Sequence, residues 1–332
     1  MATCCISRRA TVWGNLASLS STLIAALSGA ASTLAVPLEK RADFAAPSGG
    51  DTTILNYALT LEYLERKFYQ EGVANYTEAE FCDAGLPKDV YANLKTIYYD
   101  EQQHVSFLAT ALGSAAVHEA TYSFPSTTAS QFLALAAVLE GVGVSAYLGA
   151  AAAIANKAYV PVAGSILTTE ARHSAYIRHA LGQKFAPKPY DTPLDFNQVY
   201  SLAAQFITGF APGDPALPFK AFPALTVVPS SPVVQQGKSS IVFKGAAKSA
   251  GLKAGTKVYA VFYSGLDTYY APVTKSGDDY TLAKVPGANF ASAGQLAPTG
   301  QVYVVLSTAD GSATKANDEN TISGVGIVAF QS

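Results

Sequence analysis

The sequence is poor in charge, in sulfur and in histidine. Charged residues make up 14% of its 332 residues, the formal net charge is −2, and no run of lysine or arginine exceeds two residues. It therefore lacks the basic surface that neutralises phosphates, and nucleic-acid binding is excluded as a function. Because 49% of the residues are hydrophobic, we expect two domains of ordinary size with well-buried cores rather than a disordered chain.

Sulfur chemistry is equally limited. Of the three cysteines, Cys4 and Cys5 lie in the N-terminal segment, so Cys82 stands alone in the rest of the chain. No internal disulfide is expected, and the fold must be stabilised by its core. One N-glycosylation motif, "NYT", begins at Asn75, and in a secreted glycoprotein it would lie on a surface loop.

The N-terminal segment predicts a secreted protein, located outside the cell or in a cell wall. Two arginines precede an uncharged stretch that ends in small residues, which is typical of a signal peptide over residues 1–35. A membrane anchor is the alternative, but polar residues dilute the apolar stretch. Residues 36–49 are predicted to be a propeptide or linker, in which Lys40 and Arg41 form either a dibasic processing site or an ordinary exposed pair. After cleavage we expect no stable membrane insertion.

Residues 50–210 predict a helical bundle. Apolar residues recur every three or four positions in four long segments, and Asp51 is the predicted N-cap of the first. A shorter amphipathic segment follows from Thr192 and Pro193. The four long helices are predicted at residues 52–72, 88–112, 131–156 and 161–182.

Beyond a predicted linker at residues 211–224, the pattern changes to short alternating runs such as "KVYAVFY" and "QVYVVLS". Residues 225–332 therefore predict an antiparallel β-sandwich of the Ig-like kind, and the fold class is α + β with two domains. This segment has no histidine or cysteine, so it cannot supply nitrogen or sulfur ligands to a metal. Four of its tyrosines are expected to pack in the core or across strands, with a sugar-binding face as the alternative: Tyr259, Tyr263, Tyr269 and Tyr270.

Two motifs place a glutamate three residues before a histidine, at Glu101 and His104 and again at Glu170 and His173. Residues three apart lie on one face of a helix, so each pair can reach a single ion. Glutamate and histidine are also common on solvated helix faces, and one such pair alone is weak support for a metal site.

A lone carboxylate on an apolar helix strengthens the metal hypothesis. Glu140 is the only charged residue between Ser126 and Asn156. Burying a carboxylate is costly unless something pairs with it, and a divalent cation is the strongest partner. The alternatives are a membrane-spanning helix and a core helix whose glutamate reaches the surface at one edge.

The first helix completes the set, because Glu62 and Glu65 lie on one stripe with Tyr69. Two helices with one glutamate each and two with Glu-x-x-His form the ligand pattern of a carboxylate-bridged di-metal centre in a four-helix bundle. Four carboxylates and two imidazoles suit iron or manganese better than zinc, because no thiolate takes part.

The segments "TLEYLERKFY", "DEQQHVSFL", "VLEGVGVSAY" and "EARHSAYI" resemble, in this order, the ligand helices of the ferritin-like superfamily. Residues 50–182 are more closely similar to the secreted ferritin-like proteins of fungi, known as stress-response proteins, and to the desiccation-related proteins of plants. The resemblance implies two iron ions, or alternatively manganese. It also implies the ligands: Glu62 and His104 on one ion, Glu140 and His173 on the other, and Glu101 and Glu170 as bridges.

Three residues beside the ligands acquire implied supporting roles: Glu65, Tyr69 and Asp100. Tyr69 would bond a ligand or pass an electron, with simple packing as the alternative. Asp100 would orient the imidazole of the opposite pair, whereas Thr169 stands where a second acid is expected. We therefore expect His104 to be held less firmly than His173.

The expected function is that of a secreted protein whose di-metal centre oxidises Fe(II) or consumes peroxide in a stress response. Metal ions and O₂ or peroxide are the expected partners, with the cell wall as a further candidate, and the oligomeric state is left open. A manganese catalase-like centre is one alternative. Another is a non-enzymatic structural or wall-associated stress protein with an inert metal site.

Overall fold

Long helices fill the first half of the computed structural model, which describes residues 44–330. The described residues belong to one compact unit, Arg41–Ser332, and the predicted signal peptide and the Lys40–Arg41 pair lie outside the described residues. The helices are α1 (Gly50–Asn75), α2 (Glu78–Asp83), α3 (Val90–Leu112), α4 (Ala129–Ala150), α5 (Tyr159–Ala180) and α6 (Phe196–Ala203). The prediction of a helical N-terminal part is confirmed.

Side-chain caps determine where the short helices begin. Thr77 and Glu80 bond to each other's backbone N–H and start α2, which the periodicity did not predict. Asp195 and Gln198 form the same reciprocal cap on α6, so this helix begins after the cap and not at Thr192. The predicted fifth helix is consequently shorter than its amphipathic pattern.

Asp51 does not cap α1, contrary to the prediction. Gly49 is the N-cap, with a φ of 87°, and makes no side-chain cap bond. The Asp51 carboxylate instead accepts backbone N–H bonds from Ala155 at 2.9 Å and Asn156 at 2.7 Å. These bonds satisfy donors in the connection between α4 and α5, and they fasten the start of α1 to it.

Helix α4 is the most deeply buried of the four long helices. It packs mainly on α5, while α1 packs mainly on α3 and also contacts α4. Among the described residues, Ala129–Ala153 is the one helix long and apolar enough to cross a membrane, and 72% of its apolar window is buried within the protein. Because the core helix of a bundle meets the same criterion, this is weak support for a membrane span.

The second half of the chain forms strands. A short pair, β1 (Thr121–Tyr122) and β2 (Ile207–Gly209), joins two connections of the bundle. The larger sheet has the order β3-β4-β7-β6-β5-β8-β9, with every neighbouring pair antiparallel. Its elements are β3 (Thr226–Pro229), β4 (Ile241–Lys244), the short helix α7 (Ala246–Ala250), β5 (Val258–Ser264), β6 (Asp267–Ser276), β7 (Asp279–Leu282), β8 (Gly300–Ser307) and β9 (Gly326–Phe330).

This sheet is nearly closed and barrel-like, and the predicted Ig-like sandwich is not confirmed. Strand β6 pairs with β5 along Asp267–Val273 and with β7 along Thr274–Ser276, so this strand connects the two parts of the sheet. Val234, just after β3, forms a parallel bridge with Phe330 of β9, so the two edges of the sheet meet. Alternating apolar residues suit a sandwich and a barrel equally, because periodicity does not determine which strands pair.

The sheet and the bundle share a core. Strands β5 and β8 are apolar on both faces, as is usual for strands covered on both sides. One face fills the interior of the sheet, and the other, which includes Tyr263 and Tyr303, packs with the bundle helices. Tyr303 Oη donates to the Gly141 carbonyl at 2.7 Å, and Gln301 Nε2 donates to the Val138 carbonyl at 3.1 Å. These two hydrogen bonds attach the sheet to α4 next to Glu140, the single glutamate of that helix.

The candidate sugar-binding tyrosines serve packing in part. Tyr263 and Tyr269 are buried, and Tyr259 and Tyr270 are half-buried. Tyr269 also donates a hydrogen bond to the Leu296 carbonyl at 2.6 Å. The buried pair cannot form an exposed sugar platform.

Candidate metal centre

The four long helices bring all six predicted ligands into one buried cluster. Helices α1 and α4 contribute one glutamate each, and α3 and α5 contribute a glutamate and a histidine each. The four carboxylate residues are 0% exposed. The cluster consists of Glu62, Glu101, His104, Glu140, Glu170 and His173.

The cluster divides into two overlapping groups that each suit one ion. One contains Glu62 and His104, the other contains Glu140 and His173, and Glu101 and Glu170 belong to both. Within each group the candidate ligand atoms lie within 4.8 Å of one another. This is the geometry of two neighbouring positions that share two carboxylates.

Both histidines point Nδ1 into the cluster. His104 Nδ1 lies 3.1 Å from Glu62 Oε2, and it lies 3.3 Å from Glu101 Oε2 and from Glu170 Oε1. His173 Nδ1 lies 3.2 Å from Glu101 Oε1 and 3.4 Å from Glu140 Oε2. Each imidazole therefore faces shared carboxylates and the unshared carboxylate of its own group.

Two tyrosines hold the unshared carboxylates in a crossed arrangement. Tyr69 on α1 donates to Glu140 Oε1 on α4, and Tyr147 on α4 donates to Glu62 Oε1 on α1. Each tyrosine is seven residues after the glutamate of its own helix. Sequence reasoning considered Tyr69 and missed Tyr147, although the repeated seven-residue spacing could have revealed it.

The hydrogen bonds to the histidines are unequal. Asp100 Oδ2 lies 3.1 Å from His173 Nε2, which fixes the far side of that ring. Thr169 instead donates to the Ser165 carbonyl at 3.1 Å and accepts from Arg172 at 3.0 Å. The acid at position 100 therefore reaches the opposite imidazole, while the threonine at 169 bonds within its own helix.

Gly143 makes room for the cluster. A Cβ atom at this position would lie 2.9 Å from Glu170 Oε2 and 3.0 Å from Glu65 Oε1. Glycine inside a helix lowers stability by roughly 0.5–1 kcal/mol relative to alanine. At this position the missing side chain leaves space for the two carboxylates. Gly143 is three residues after Glu140, as Glu65 is three after Glu62, and sequence reasoning did not single it out.

Residues 50–183 match the protein family described as "Ferritin-like domain". This segment is a ferritin-like domain. The prediction of membership in the ferritin-like superfamily is confirmed, and the buried carboxylate and histidine cluster lies wholly within the domain.

Two further proteins are similar to this chain. "Protein rds1" of Schizosaccharomyces pombe (strain 972 / ATCC 24843) is 27% identical over 183 residues, which make up 55% of this chain and 45% of that protein. The chain thus spans less than half the length of this curated relative. A solved structure of a conserved hypothetical protein, rv2844, from Mycobacterium tuberculosis is 18% identical and covers 39% of this chain and 88% of its own, with a TM-score of 0.33. That score is too low to support a structural argument.

The donor atoms of the ferritin-like domain fit metal ions. Within residues 44–330, several buried polar atoms of the cluster have no hydrogen-bond partner, and each belongs to a predicted ligand: both Oε atoms of Glu101, both of Glu170, Glu140 Oε2 and His173 Nδ1. Buried polar atoms without partners are costly, and a divalent cation satisfies such oxygen and nitrogen lone pairs. The oxygen-rich set with two imidazoles suits iron or manganese.

Without metal, the cluster retains protons. Burial raises the pKa of Glu101 to about 7. Burial, followed by the charge of neighbouring glutamates, raises the pKa of Glu170 and Glu65 well above the usual range. Burial by itself would lower the pKa of both histidines, but bonds to the carboxylates outweigh it, so the pKa of His173 rises to about 12 and that of His104 also rises well above its ordinary value. Protons thus take the place of metal charge.

The remaining histidines and the other predicted sites lie apart from the cluster. His118 is exposed and bonds Asp214 at 2.6 Å, and His179 is exposed in the last turn of α5. Asn75 is exposed at the end of α1, and its modification stays a prediction. Cys82 is a free, half-buried cysteine in α2.

Proposed function

We propose that the ferritin-like domain binds two iron ions, or alternatively manganese, and that the bound metal reacts with O₂ or peroxide. The observation that carries this proposal is the pair of overlapping buried groups that share Glu101 and Glu170. Each group offers three carboxylates and one imidazole, a set of hard oxygen donors and nitrogen that iron and manganese accept.

Charge balance supports a pair of divalent ions. Four ionised carboxylates around the cluster carry four negative charges, which two divalent cations neutralise while both imidazoles stay uncharged. Without cations, this many buried carboxylates repel one another and stay partly protonated, as the raised pKa values of Glu101 and Glu170 indicate.

When bound, a pair of ferrous ions supplies the electrons that reduce O₂ or peroxide. The residues of this chain bind and orient. Glu101 and Glu170 would be shared by the two ions, Asp100 fixes the ring of His173, and the two tyrosine hydroxyls hold the unshared carboxylates in place. The apolar helices around the cluster restrict water, which strengthens every electrostatic contact inside.

The complete burial of the four ligand carboxylates favours one alternative, an inert site that serves stability. In that case metal binds but Fe(II) is not oxidised faster than in buffer. A manganese catalase-like centre is the third candidate, and it would release O₂ from peroxide.

The test is metal analysis of the purified protein by mass spectrometry, followed by assays of Fe(II) oxidation and O₂ release. We expect close to two ions per chain in the wild type and a strong loss in Glu101→Gln, which keeps the shape of the side chain but removes its charge. Glu71→Gln, on the half-exposed side of α1, is the matched control. Equal metal content in all three proteins would overturn the proposal.

We also propose that the chain is secreted and acts in a stress response, with the cell wall as a candidate location. This proposal is supported by the leader-like pattern of residues 1–35 and by the dibasic pair Lys40 and Arg41. N-terminal sequencing of protein recovered from the growth medium tests it, with Ala42 as the expected first residue. Protein retained inside the cell with its leader intact would contradict it.

A further inference from the structure

A cavity of about 220 Å³ lies directly beside the metal cluster. Helices α1, α4 and α6 form one side, and the segment leading into β9, with the start of that strand, forms the other. Its wall is almost entirely apolar, and Leu61, Leu139 and Leu202 are typical members. Glu65 is the single titratable group in the wall, and Gln205, an exposed residue, is the other polar side chain.

The wall shared by the cavity and the cluster is thin. Glu65 and Gly143 both line the cavity. A Cβ atom at Gly143 would lie 3.0 Å from Glu65 Oε1 and 2.9 Å from Glu170 Oε2, so both carboxylates lie close against this glycine. A molecule in the cavity would therefore contact Glu65 and lie next to a predicted bridging ligand.

Residues beside and within the β-sheet form one side of this cavity. Leu225, Val325, Gly326 and Ile327 cover the face of α1 and α4 that would otherwise be open. The bundle and the sheet share a core at this junction, so the wall is part of the packed interior. The sheet thus lines a cavity beside the cluster although it supplies none of the predicted ligands.

We propose that this cavity is a binding site for a small organic molecule with an apolar body and one hydrogen-bonding group that meets Glu65. An apolar cavity of roughly 150 Å³ stays dry and accepts benzene, so the larger volume here accommodates a ring with a substituent. The apolar wall selects the body, and the single carboxyl group selects the polar end. Binding of this molecule requires no metal, so the inference goes beyond the proposed function.

A second cavity provides an internal contrast. It has a volume of about 240 Å³ and lies among α4, α5 and the start of β8, but Arg178, Lys188 and Asp191 line it. Polar walls hold water, so an apolar probe should not bind in this cavity although the two volumes are similar.

Phenol and toluene are suitable probes, because they have the same shape and differ in one hydroxyl group. Crystals of the wild type soaked with each probe, and crystals under xenon pressure, should show density beside Leu139 and none beside Arg178. In solution, ligand-observed NMR should give phenol an affinity about fivefold higher than toluene, and Glu65→Leu should abolish this preference. Water alone in the cavity of soaked crystals would overturn the proposal without the need for any variant.

Ala203→Leu places a larger side chain in the cavity from α6, away from every predicted ligand. It should reduce phenol binding at least tenfold. Ala204→Leu, one residue further along and outside the cavity wall, is the matched control and should bind phenol like the wild type. If folded Ala203→Leu binds phenol normally, the cavity is not the site.

Metal content measured on the same samples separates this inference from the proposed function. Loss of phenol binding with normal metal content in Ala203→Leu supports the cavity site. A wild type that binds metal but no phenol overturns the cavity site and leaves the metal proposal intact, and a wild type that binds phenol but no metal does the reverse.

Discussion

The two halves of the candidate metal centre support their carboxylates in the same way and their histidines in different ways. The first half contains Glu62 and His104, and Tyr147 donates to Glu62; the second contains Glu140 and His173, and Tyr69 donates to Glu140. The carboxylates therefore receive equivalent support from crossed tyrosines. The imidazoles do not, because Asp100 bonds His173 whereas Thr169 bonds only within α5.

The comparison separates residues that serve both halves from residues that serve only one half. The shared carboxylates Glu101 and Glu170 belong to both halves, so a change there should act on both of the proposed ions. A change at an unshared ligand or at its hydrogen-bonding partner acts on one half. Substitutions can therefore be ordered by how many ions each should affect.

The largest effect is expected from the shared carboxylates. Glu101→Gln removes a ligand of both positions, so we expect loss of nearly all bound metal. Glu62→Gln removes a ligand of one position and should leave close to one ion per chain. Metal-to-protein ratios measured by mass spectrometry distinguish the two results, and an identical ratio in both variants would contradict the division into halves.

A large pH effect should act on both halves together. In the metal-free protein the pKa of Glu101 is raised to about 7 and that of His173 to about 12. Bound protons must leave when metal enters, from both imidazoles and, below about pH 7, also from Glu101, so metal affinity should rise with pH across the range from about 5.5 to 7.5. Calorimetry with manganese in two buffers of different ionisation enthalpy measures the released protons, and pH-independent affinity would contradict the argument.

The same protons affect the stability of the metal-free protein. The folded protein holds protons on Glu101 that the unfolded chain releases above its ordinary pKa of 4.5. Because the folded state binds more protons, the free energy of unfolding should fall as the pH rises from 4.5 to about 7. The raised pKa of both histidines acts in the same direction at higher pH. Thermal unfolding of metal-free protein across this range tests the sign, and added manganese should reverse it.

The unequal histidines predict an unequal response. Asp100→Ala removes the partner of His173 Nε2, and loss of such a partner typically lowers metal affinity 10–100-fold. The loss should be confined to one of the two ions. Thr169→Asp supplies the second acid expected beside the other histidine, so it should raise metal affinity in that half. The gain should be only about a factor of a few, because the new acid would also pair with Arg172. Manganese titrations that resolve two binding steps measure both, and equal changes in the two steps would contradict the asymmetry.

Local periodicity was enough to predict the helical bundle and the candidate ligands. The placement of glutamate and histidine on one face in a Glu-x-x-His pair depends only on the helical repeat. Glu140 is the one charged side chain of an apolar helix, so a buried position with a charged partner could be predicted for it. Tyr147 was missed because its importance lies in a bond to Glu62 on a different helix. The closure of the sheet was missed for the same reason, since the bridge between Val234 and Phe330 joins residues distant in sequence.

The smallest effect is expected from the crossed tyrosines, and it should be nearly equal in the two halves. Tyr69→Phe and Tyr147→Phe each remove one donor to an unshared carboxylate and leave the ring in place. A hydrogen bond to a charged group contributes about 1.5–3 kcal/mol, and the bound cation compensates part of that loss, so metal affinity for one ion should fall by about tenfold or less. Two-step manganese titrations on both variants should show matching losses in opposite steps. If Tyr147→Phe alone has an effect, the symmetry of the tyrosines is structural only, and the two halves differ on the carboxylate side as well as at the imidazoles.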